Sequence, residues 1–354
     1  MKYPGDRVHL KNLSLQQLEA FVASLGGKPF RARQLAQWLY ARGARSFKEM
    51  TNLAGAFRNM LEEKAWISFL EPAEVQTSRD GTRKYRFLLH DGEGIESVLL
   101  PEKDHYTLCL STQVGCALGC RFCLTGRRGF VRNLEPSEII DQVIGVRATL
   151  SPEGKLTNLV LMGMGEPLEN FQHVVGALEV IRSPMGLKFS NRRVTLSTAG
   201  IIPRIAELFL RPHFVQLAVS LNAATDEQRS ELMPINRKYP LADLLAACRK
   251  LPLANREKIT FEYVLIKGVN DSEGDALRVA RLLQGIPAKI NLIPFNQHPK
   301  STYQRPEDGV VHKFREVLMA KRFTTMIRQS KGLDIQAACG QLGGPSPIAL
   351  REAP

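Results

Sequence analysis

The spacing of apolar and polar residues first indicates a helical region. Apolar residues recur at helical spacing at Leu15, Leu18, Phe21, Val22 and Leu25. Ser14 precedes this run and is followed three residues later by Gln17, which is the spacing of a capping box, and Gly26-Gly27 ends the run. Further helices are predicted over residues 30–41 and 54–64. Residues 1–70 are therefore predicted to form a small helical accessory domain.

The pattern then changes to short runs with alternating polarity in residues 71–104. Two such runs are Tyr85–His90 and Ile95–Leu100, and the dipeptides Asp80-Gly81 and Asp91-Gly92 stand before them. Aspartate followed by glycine is a strong signal for a tight turn between antiparallel strands. This stretch is predicted to be a β-meander linker.

Strands and helices alternate regularly after residue 105. Strands are predicted at Thr107–Ser111, Asn158–Met162, Arg193–Ser197, Val215–Leu221, Lys258–Ile266, Lys289–Pro294 and Thr324–Ile327. Helices are predicted between them, as at Pro136–Leu150 and Asp275–Gln284. Repeated βα units imply a parallel sheet with right-handed crossovers. Since six or seven strands are too few for a closed eight-stranded barrel, the α/β core over 105–342 is expected to be an open, partial (βα)6 barrel. Residues 343–354, rich in Gly and Pro, are expected to be a flexible tail.

Composition and charge narrow the class of protein. The 354 residues are 44% hydrophobic and 23% charged, as in ordinary globular proteins. No run is long enough to span a bilayer, and the first residues lack the apolar segment of a secretory signal, so a cytoplasmic location without membrane contact is expected. The net charge of +13 favours a polyanionic partner, although a merely basic protein has the same charge.

The excess charge is concentrated near the amino terminus. Residues 1–65 hold eleven Lys and Arg against five Asp and Glu, a net charge of +6. Such an excess is compatible with a solvated helix face. We favour a platform that binds RNA phosphates, because the helical region has no catalytic motif of its own.

Three cysteines within eight residues are the strongest chemical signal. Cys116, Cys120 and Cys123 have the spacing CxxxCxxC, and two glycines let the backbone fold tightly around them. A structural zinc ion usually takes four ligands in two pairs, and the remaining cysteines are isolated, so zinc is the weaker interpretation. A [4Fe-4S] cluster held by three thiolates would leave one iron open to a ligand.

Polar residues follow several of the predicted strands. Ligands of such folds bind at the carboxyl ends of the strands. Each polar residue alone is more often a cap or a turn residue, but together they indicate a binding rim. These residues are Gly165, Glu166, Ser197, Ser220, Asn222 and Asn296.

The longer motifs resemble one family of enzymes. CxxxCxxC followed by a glycine-rich loop resembles the radical S-adenosylmethionine (SAM) superfamily. The strings Met162–Pro167, Met233–Asn236, Lys289–Asn296 and Asp334–Leu342 are similar to those of its RlmN/Cfr family. The resemblance extends from about Leu13 to Leu342. Members of this family methylate adenosine in RNA, at C2 or at C8.

The resemblance implies two cofactors and a set of site residues. It implies a [4Fe-4S] cluster on Cys116, Cys120 and Cys123, and two SAM molecules per turnover. SAM would be contacted by Gly165, Glu166, Ser197, Ser220, Leu221, Asn222 and Asn296. Asn222 departs from the family pattern, in which His is more usual, so the role of its side chain is open.

A radical route is expected because C2 of adenine and the methyl group of SAM are both electron-poor. By resemblance, Cys339 is first methylated, and the nearby cations Arg328 and Lys331 would favour its thiolate. A 5′-deoxyadenosyl radical would then activate that methyl group. Glu96 would remove the C2 proton, and Cys109 would release the product through a transient disulfide with Cys339.

The implied partners are 23S rRNA, tRNA and a reducing protein such as flavodoxin or ferredoxin, with the enzyme acting as a monomer. Methylation at C8 is the alternative within the same family. From another class, the chain could be a non-catalytic RNA-binding protein with a structural metal. Cys248 has the pattern of a buried apolar residue and is given no role.

Overall fold

The three helices predicted near the amino terminus are present. The computed structural model describes residues 5–211 and 215–343. The three helices are α1 (Leu15–Ser24), α2 (Pro29–Ala36), extended by a wider turn at Gln37–Ala41, and α3 (Gly55–Lys64). The capping box before α1 is formed in full. Two short strands, β1 (Val8–His9) and β2 (Ala65–Trp66), pair in parallel and bring the two ends of this region together.

The predicted meander is also present. It consists of the antiparallel strands β3 (Pro72–Thr77), β4 (Arg83–Leu88) and β5 (Gly94–Pro101). Its turns contain Gly81 and Gly92, which have φ angles of +83° and +85°. The meander is more than a connection, because β5 pairs with the first core strand, β6 (Tyr106–Cys109), and so continues the core sheet.

A hairpin and a helix follow β6 and enclose the cysteine triplet. The hairpin strands are β7 (Gln113–Gly115) and β8 (Phe130–Asn133), with helix α4 (Leu124–Arg128) between them. This arrangement projects residues 116–123 from the strand end of the sheet.

The remaining core strands alternate with helices. The strands are β9 (Leu156–Leu161), β10 (Val194–Thr198), β11 (Gln216–Ser220), β12 (Ile259–Leu265), β13 (Ala288–Pro294) and β14 (Thr324–Ile327). The helices are α5 (Pro136–Arg147), α6 (Phe171–Arg182), α7 (Ile202–Phe209), α8 (Asp226–Leu232), α9 (Leu241–Arg249), α10 (Glu273–Leu282) and α11 (Asp308–Ala320). All seven predicted strands are confirmed to within three residues at each end.

The sheet has ten strands in the order β14-β13-β12-β11-β10-β9-β6-β5-β4-β3. Strands β6 and β9–β14 pair in parallel throughout, which confirms the open, partial barrel. A continuous apolar core runs from the helical region into this barrel, and a smaller apolar cluster lies beside the cysteine triplet. In the described part of the chain, no helix combines the length and apolar character needed to span a bilayer.

The segment after β14 returns to the meander. Asp334 accepts hydrogen bonds from the Ser78 hydroxyl at 2.5 Å and from the backbone N–H of Arg79 at 3.2 Å. The backbone N–H of Gly332 donates to Asp80 at 2.8 Å. These contacts hold residues 331–343, which include Cys339, against the turn between β3 and β4.

The helical region is joined to the barrel by a buried ion pair. The Lys11 ammonium lies 2.6 Å from the Asp141 carboxylate on α5, and both side chains are 0% exposed. Lys11 also donates to the Ser68 carbonyl at 2.7 Å, and the Ser68 hydroxyl bonds to Asp141. This contact fixes the orientation of the basic helices relative to the core.

Candidate active site

The three cysteines of the triplet line one cavity at the strand ends, here called the triplet cavity. Gly115 and Gly119 directly precede Cys116 and Cys120 and have φ angles of +75° and +62°, which glycine adopts more readily than other residues. A Cβ atom on Gly115 would collide with the carbonyl of Gly129 across the hairpin. The glycines therefore give the loop its shape, as the sequence predicted.

The donor set of this cavity suits an iron–sulfur cluster. Among residues 5–211 and 215–343, no three His, Cys, Asp or Glu side chains lie close enough to share a single metal ion. The triplet instead presents three thiols around a cavity, and thiolates are the ligands of iron–sulfur clusters. Burial raises the pKa of Cys116 to about 12, so a bound metal is needed to hold it as a thiolate.

Most of the predicted SAM-binding residues line the same cavity. Six of the seven do so: Gly165, Glu166, Ser197, Ser220, Asn222 and Asn296. Leu221 is fully buried and does not line the cavity. Its backbone N–H donates to the Glu262 carbonyl at 2.9 Å, and its carbonyl accepts a hydrogen bond from Arg229 at 3.0 Å. The structure thus brings together residues that are up to 131 positions apart in the sequence.

The environment of Glu166 is that of a carboxylate that binds a cationic ligand. It is 4% exposed, and burial raises its pKa to about 7. The backbone N–H groups of Leu168 and Ala199 donate to its two oxygens at 3.0 and 2.8 Å. A carboxylate has further acceptor capacity, and an ammonium group would offset its desolvation. The amino group of SAM is such a partner.

Asn296 presents a polar atom that lacks a partner. Its Nδ2 donates to the Cys339 carbonyl at 3.0 Å, but its buried Oδ1 has no hydrogen-bond partner among the described residues. Buried amide oxygens are usually paired, so a ligand in the triplet cavity is the natural donor. The three thiols, the Glu166 carboxylate and the unpaired Oδ1 of Asn296 together fit SAM and an iron–sulfur cluster.

The structure answers the question about Asn222. Its φ angle of +57° lies in the left-handed region, which Asn tolerates better than most residues. Its Oδ1 accepts a hydrogen bond from the Val264 N–H at 2.9 Å, and its Nδ2 points to the Met233 sulfur at 3.2 Å. The side chain is therefore engaged within the protein. The backbone is engaged as well, since the N–H donates to the Glu262 carbonyl at 3.4 Å and the carbonyl accepts a hydrogen bond from the Asn270 amide at 2.8 Å.

Cys109 and Cys339 line a second cavity, here called the thiol cavity. Both cysteines are free thiols; Cys109 is buried on β6, whereas Cys339 is exposed. Cys339 lines the triplet cavity as well. Its segment is attached to α4, because the Leu124 N–H donates to the Gly340 carbonyl at 2.8 Å. Cys339 thus lies beside the cysteine triplet.

One sequence-based expectation about Cys339 is wrong. Nearby cations were expected to favour its thiolate. Although Cys339 is exposed as a residue, desolvation of its thiol at the two cavities, followed by the charge of Glu262, raises its pKa to about 11. Arg328 lowers it only in part. Lys331 is engaged with Glu102 at 3.5 Å and with the Pro101 carbonyl. The resting thiol is therefore mainly protonated at neutral pH.

Glu96 lies in a third cavity of about 600 Å³, next to the first two. Its side chain is 12% exposed and lies 3.6 Å from the Lys84 ammonium. It accepts a hydrogen bond from the Gly343 N–H at 2.7 Å. Glu96 is therefore held at the end of the Cys339 segment, and it does not line the thiol cavity itself.

Sequence reasoning missed two residues of this region. Glu262 on β12 lines both the triplet and the thiol cavities. Arg229 on α8 is 0% exposed, and its guanidinium donates to the carbonyls of Ala199, Ser220 and Leu221 at 2.7–3.0 Å. Arg229 thereby ties the ends of β10 and β11 together. Glu262 had a signal in the sequence, a charged side chain within an apolar run, whereas Arg229 lies among polar residues and had none.

Comparison with known proteins agrees with this geometry. Two family models match the chain: the ribosomal RNA large subunit methyltransferase N-terminal domain over residues 8–67, and the radical SAM superfamily over residues 110–280. The chain is 54% identical over 334 residues to the dual-specificity RNA methyltransferase RlmN of Desulfosudis oleivorans, which covers 94% of this chain and 90% of that protein. It is 51% identical to RlmN of Geotalea uraniireducens, over 98% of this chain and 100% of that protein.

A solved structure shares the whole fold. The crystal structure of a radical SAM methyltransferase from Sphaerobacter thermophilus superimposes with a TM-score of 0.89 at 41% identity, covering 95% of this chain and 99% of that one. Radical SAM proteins use SAM and a [4Fe-4S] cluster, which the residues of the triplet cavity fit. The chain is a member of the RlmN family of radical SAM RNA methyltransferases.

Proposed function

We propose that this enzyme methylates C2 of a specific adenosine in 23S rRNA, at the peptidyl-transferase centre, and of the adenosine next to the anticodon in tRNAs. Two observations support this: the near full-length similarity to dual-specificity RlmN proteins, and the position of Cys339 between the triplet and thiol cavities. The second observation carries the mechanism, because a cysteine that must meet both the cofactor and a second thiol has to lie where both are within reach.

The residues of the triplet cavity hold the cofactors in this proposal. Cys116, Cys120 and Cys123 bind the [4Fe-4S] cluster, and Glu166 receives the amino group of SAM. When bound, the cluster and SAM supply the radical chemistry that an electron-poor C2 carbon requires. Gly165 allows the close approach of backbone to ligand, while Ser197, Ser220, Leu221, Asn222 and Asn296 complete the contacts.

Three further residues carry the methyl group and the protons. Cys339 accepts a methyl group from one SAM, and a second SAM is consumed to activate it, so two SAM molecules are used per turnover. Because the pKa of Cys339 is raised, methylation depends on loss of its proton within the site. Glu96 removes the C2 proton of adenine. Cys109 then attacks the Cys339 sulfur, which forms a transient disulfide and frees the methylated RNA.

The remaining parts of the chain serve the RNA and the electron supply. The basic helical domain, residues 1–70, binds RNA phosphates, and the meander, residues 71–104, supplies Glu96 and supports the Cys339 segment. The core, residues 105–342, holds the chemistry. The flexible tail predicted over residues 343–354 lies outside the described residues, apart from Gly343. The enzyme acts as a cytoplasmic monomer and receives electrons from a flavodoxin or ferredoxin.

The decisive experiment is anaerobic reconstitution followed by analysis of the nucleoside product. With SAM, a reductant and a 23S rRNA fragment, we expect 2-methyladenosine and 5′-deoxyadenosine by mass spectrometry. The C8 alternative, which the RlmN relatives do not favour, would give 8-methyladenosine. A non-catalytic RNA-binding protein would give zinc in place of iron and no cleavage of SAM.

Cysteine variants test the assigned roles. Cys339→Ala should abolish turnover, and Cys109→Ala should leave the protein covalently joined to its RNA. The matched control is Cys248→Ala, since Cys248 is buried in α9 and is absent from both cavities. Full activity of Cys339→Ala, or absence of an adduct with Cys109→Ala, would contradict the proposed mechanism.

A further inference from the structure

Glu262 lies beside the reacting groups, but the proposed mechanism gives it no role. Among the described residues, Glu262 is the only Asp or Glu that lines both the triplet cavity and the thiol cavity. The Ser197 hydroxyl donates to its Oε2 at 3.1 Å, which orients the carboxylate. Strand β12 is paired on both sides, with β11 and β13, so this side chain lies on a rigid support.

Several charged and titratable groups face Glu262 across the two cavities. They lie directly after β5, on β6, on the triplet loop and on the segment after β14: Glu102, Cys109, Cys123, Arg328, Lys331 and Cys339. Burial raises the pKa of both Cys109 and Cys339, and the Glu262 carboxylate adds to the rise at each thiol. Its charge therefore acts on both members of the exchanging pair.

We propose that Glu262 accepts the proton of the Cys109 thiol as Cys109 attacks the Cys339 sulfur. This inference rests on the proposed function. The Cys109 S–H bond breaks, an S–S bond forms, and the bond from the Cys339 sulfur to the methylene carbon breaks. The electron pair of that bond goes to the carbon, which takes up one proton and becomes the methyl group. The two sulfurs are oxidised and the carbon is reduced, so no further oxidant or reductant is needed.

A base is required here because Cys109 is a buried and weakly acidic thiol. Its pKa is raised by burial, so little thiolate forms spontaneously at neutral pH. The pKa of Glu262 is also raised by burial, although Ser197 and Arg328 oppose the rise. A carboxyl group whose pKa is shifted toward neutrality both takes up and releases a proton more readily at working pH.

A purely electrostatic role of Glu262 makes the opposite prediction. If the carboxylate only disfavoured the thiolates by its charge, its removal would increase the thiolate fraction and speed the exchange. If it accepts the proton, its removal slows the exchange. Glu262→Gln keeps the shape of the side chain and distinguishes the two.

The experiment uses the full-length holoenzyme and a transcribed 23S rRNA fragment in a single turnover. The covalent protein–RNA adduct is followed by gel shift after rapid quenching. With Glu262→Gln we expect the adduct to form and then to resolve roughly 10²-fold more slowly than in the wild type. Alkaline pH should restore part of that rate, because hydroxide replaces the carboxylate as base. The matched control is Glu102→Gln, which changes a carboxylate of the thiol cavity that is paired with Lys331.

A second readout is independent of turnover. Without RNA, alkylation of Cys109 and Cys339 by iodoacetamide should be faster in Glu262→Gln, because a negative charge beside both thiols has been removed. Glu262→Asp, which sets the carboxylate back by one methylene, should resolve the adduct at an intermediate rate. This variant keeps the test decisive should Glu262→Gln fail to take up its cluster.

The outcomes separate this inference from the proposed function. Resolution at the wild-type rate or faster in both variants would overturn the role of Glu262 as proton acceptor. Failure of a cluster-loaded Glu262→Gln to form an adduct at all would overturn it too, since it would place Glu262 at an earlier step. Absence of an adduct with Cys109→Ala would instead refute the proposed function.

Discussion

Loss of the Lys11 ammonium should destabilise the enzyme strongly, because Asp141 would be left buried without its counter-ion. Lys11→Met keeps most of the apolar length of the side chain and removes the charge. Asp141 would retain the Ser68 hydroxyl alone, and the Ser68 carbonyl would lose a donor now at 2.7 Å. Removal of one partner from a buried ion pair costs about 3–5 kcal/mol.

This magnitude sets the expected shift in melting temperature. An unfolding entropy of about 2.1 cal/mol/K per residue over 354 residues converts it to a decrease in Tm of about 4–7 °C. The pKa of Asp141 is already raised by burial, and loss of Lys11 raises it further. A raised folded-state pKa destabilises the protein as pH rises, so the deficit should be larger at pH 8 than at pH 5.

The assay is thermal and chemical denaturation of wild type, Lys11→Met and the double variant Lys11→Met/Asp141→Leu. The double variant should recover most of the loss, since an apolar pair of similar volume replaces both charges. The control is Lys267→Met, because Lys267 and Glu307 form an exposed pair at 3.1 Å that contributes less than about 1 kcal/mol. If Lys11→Met is no less stable than Lys267→Met, the assigned contribution of the buried pair is refuted.

Three further predictions concern pH, cofactor binding and the Cys339 segment. Burial, and then the charge of Lys11, lower the pKa of His9 to about 3, although Glu135 at 4.0 Å favours the charged form. A lowered folded-state pKa means that stability is present above pH 6.5 and is lost as pH falls; at pH 5 the loss is about 2 kcal/mol. His9→Gln should flatten this acid limb in denaturation curves, and identical limbs would contradict the assignment. Gly165→Ala should weaken SAM binding at least tenfold in equilibrium dialysis, since φ is +102° and the new Cβ would lie 2.6 Å from a side-chain atom of Gln113; binding unchanged from wild type would count against it. Asp334→Ala should speed hydrogen exchange in residues 331–343 and lower kcat with little change in Tm, whereas unchanged exchange would show that the segment is held by other contacts.

Patterns within short stretches of the sequence were enough to predict the helices, the meander and the parallel strands. Apolar residues at helical or alternating spacing bury one face, and Asp-Gly dipeptides mark turns, so these elements follow from local chemistry. The cysteine triplet was predictable for the same reason, because its three ligands lie within eight residues. Placement of Gly165 and Glu166 at a strand end followed from the order of the elements.

Contacts between distant positions could not be predicted in this way. The Lys11–Asp141 pair joins residues 130 positions apart, and Glu262 meets Ser197 across 65 positions. The sequence shows the charge of such residues but not whether it is buried, and burial decides pKa and energy. The tertiary structure alone placed Cys339 between two cavities and engaged the side chain of Asn222 within the protein. The type of chemistry could thus be inferred from local spacing in the sequence. The protonation states of the site residues and the contacts that hold them depend on which residues the fold excludes from water.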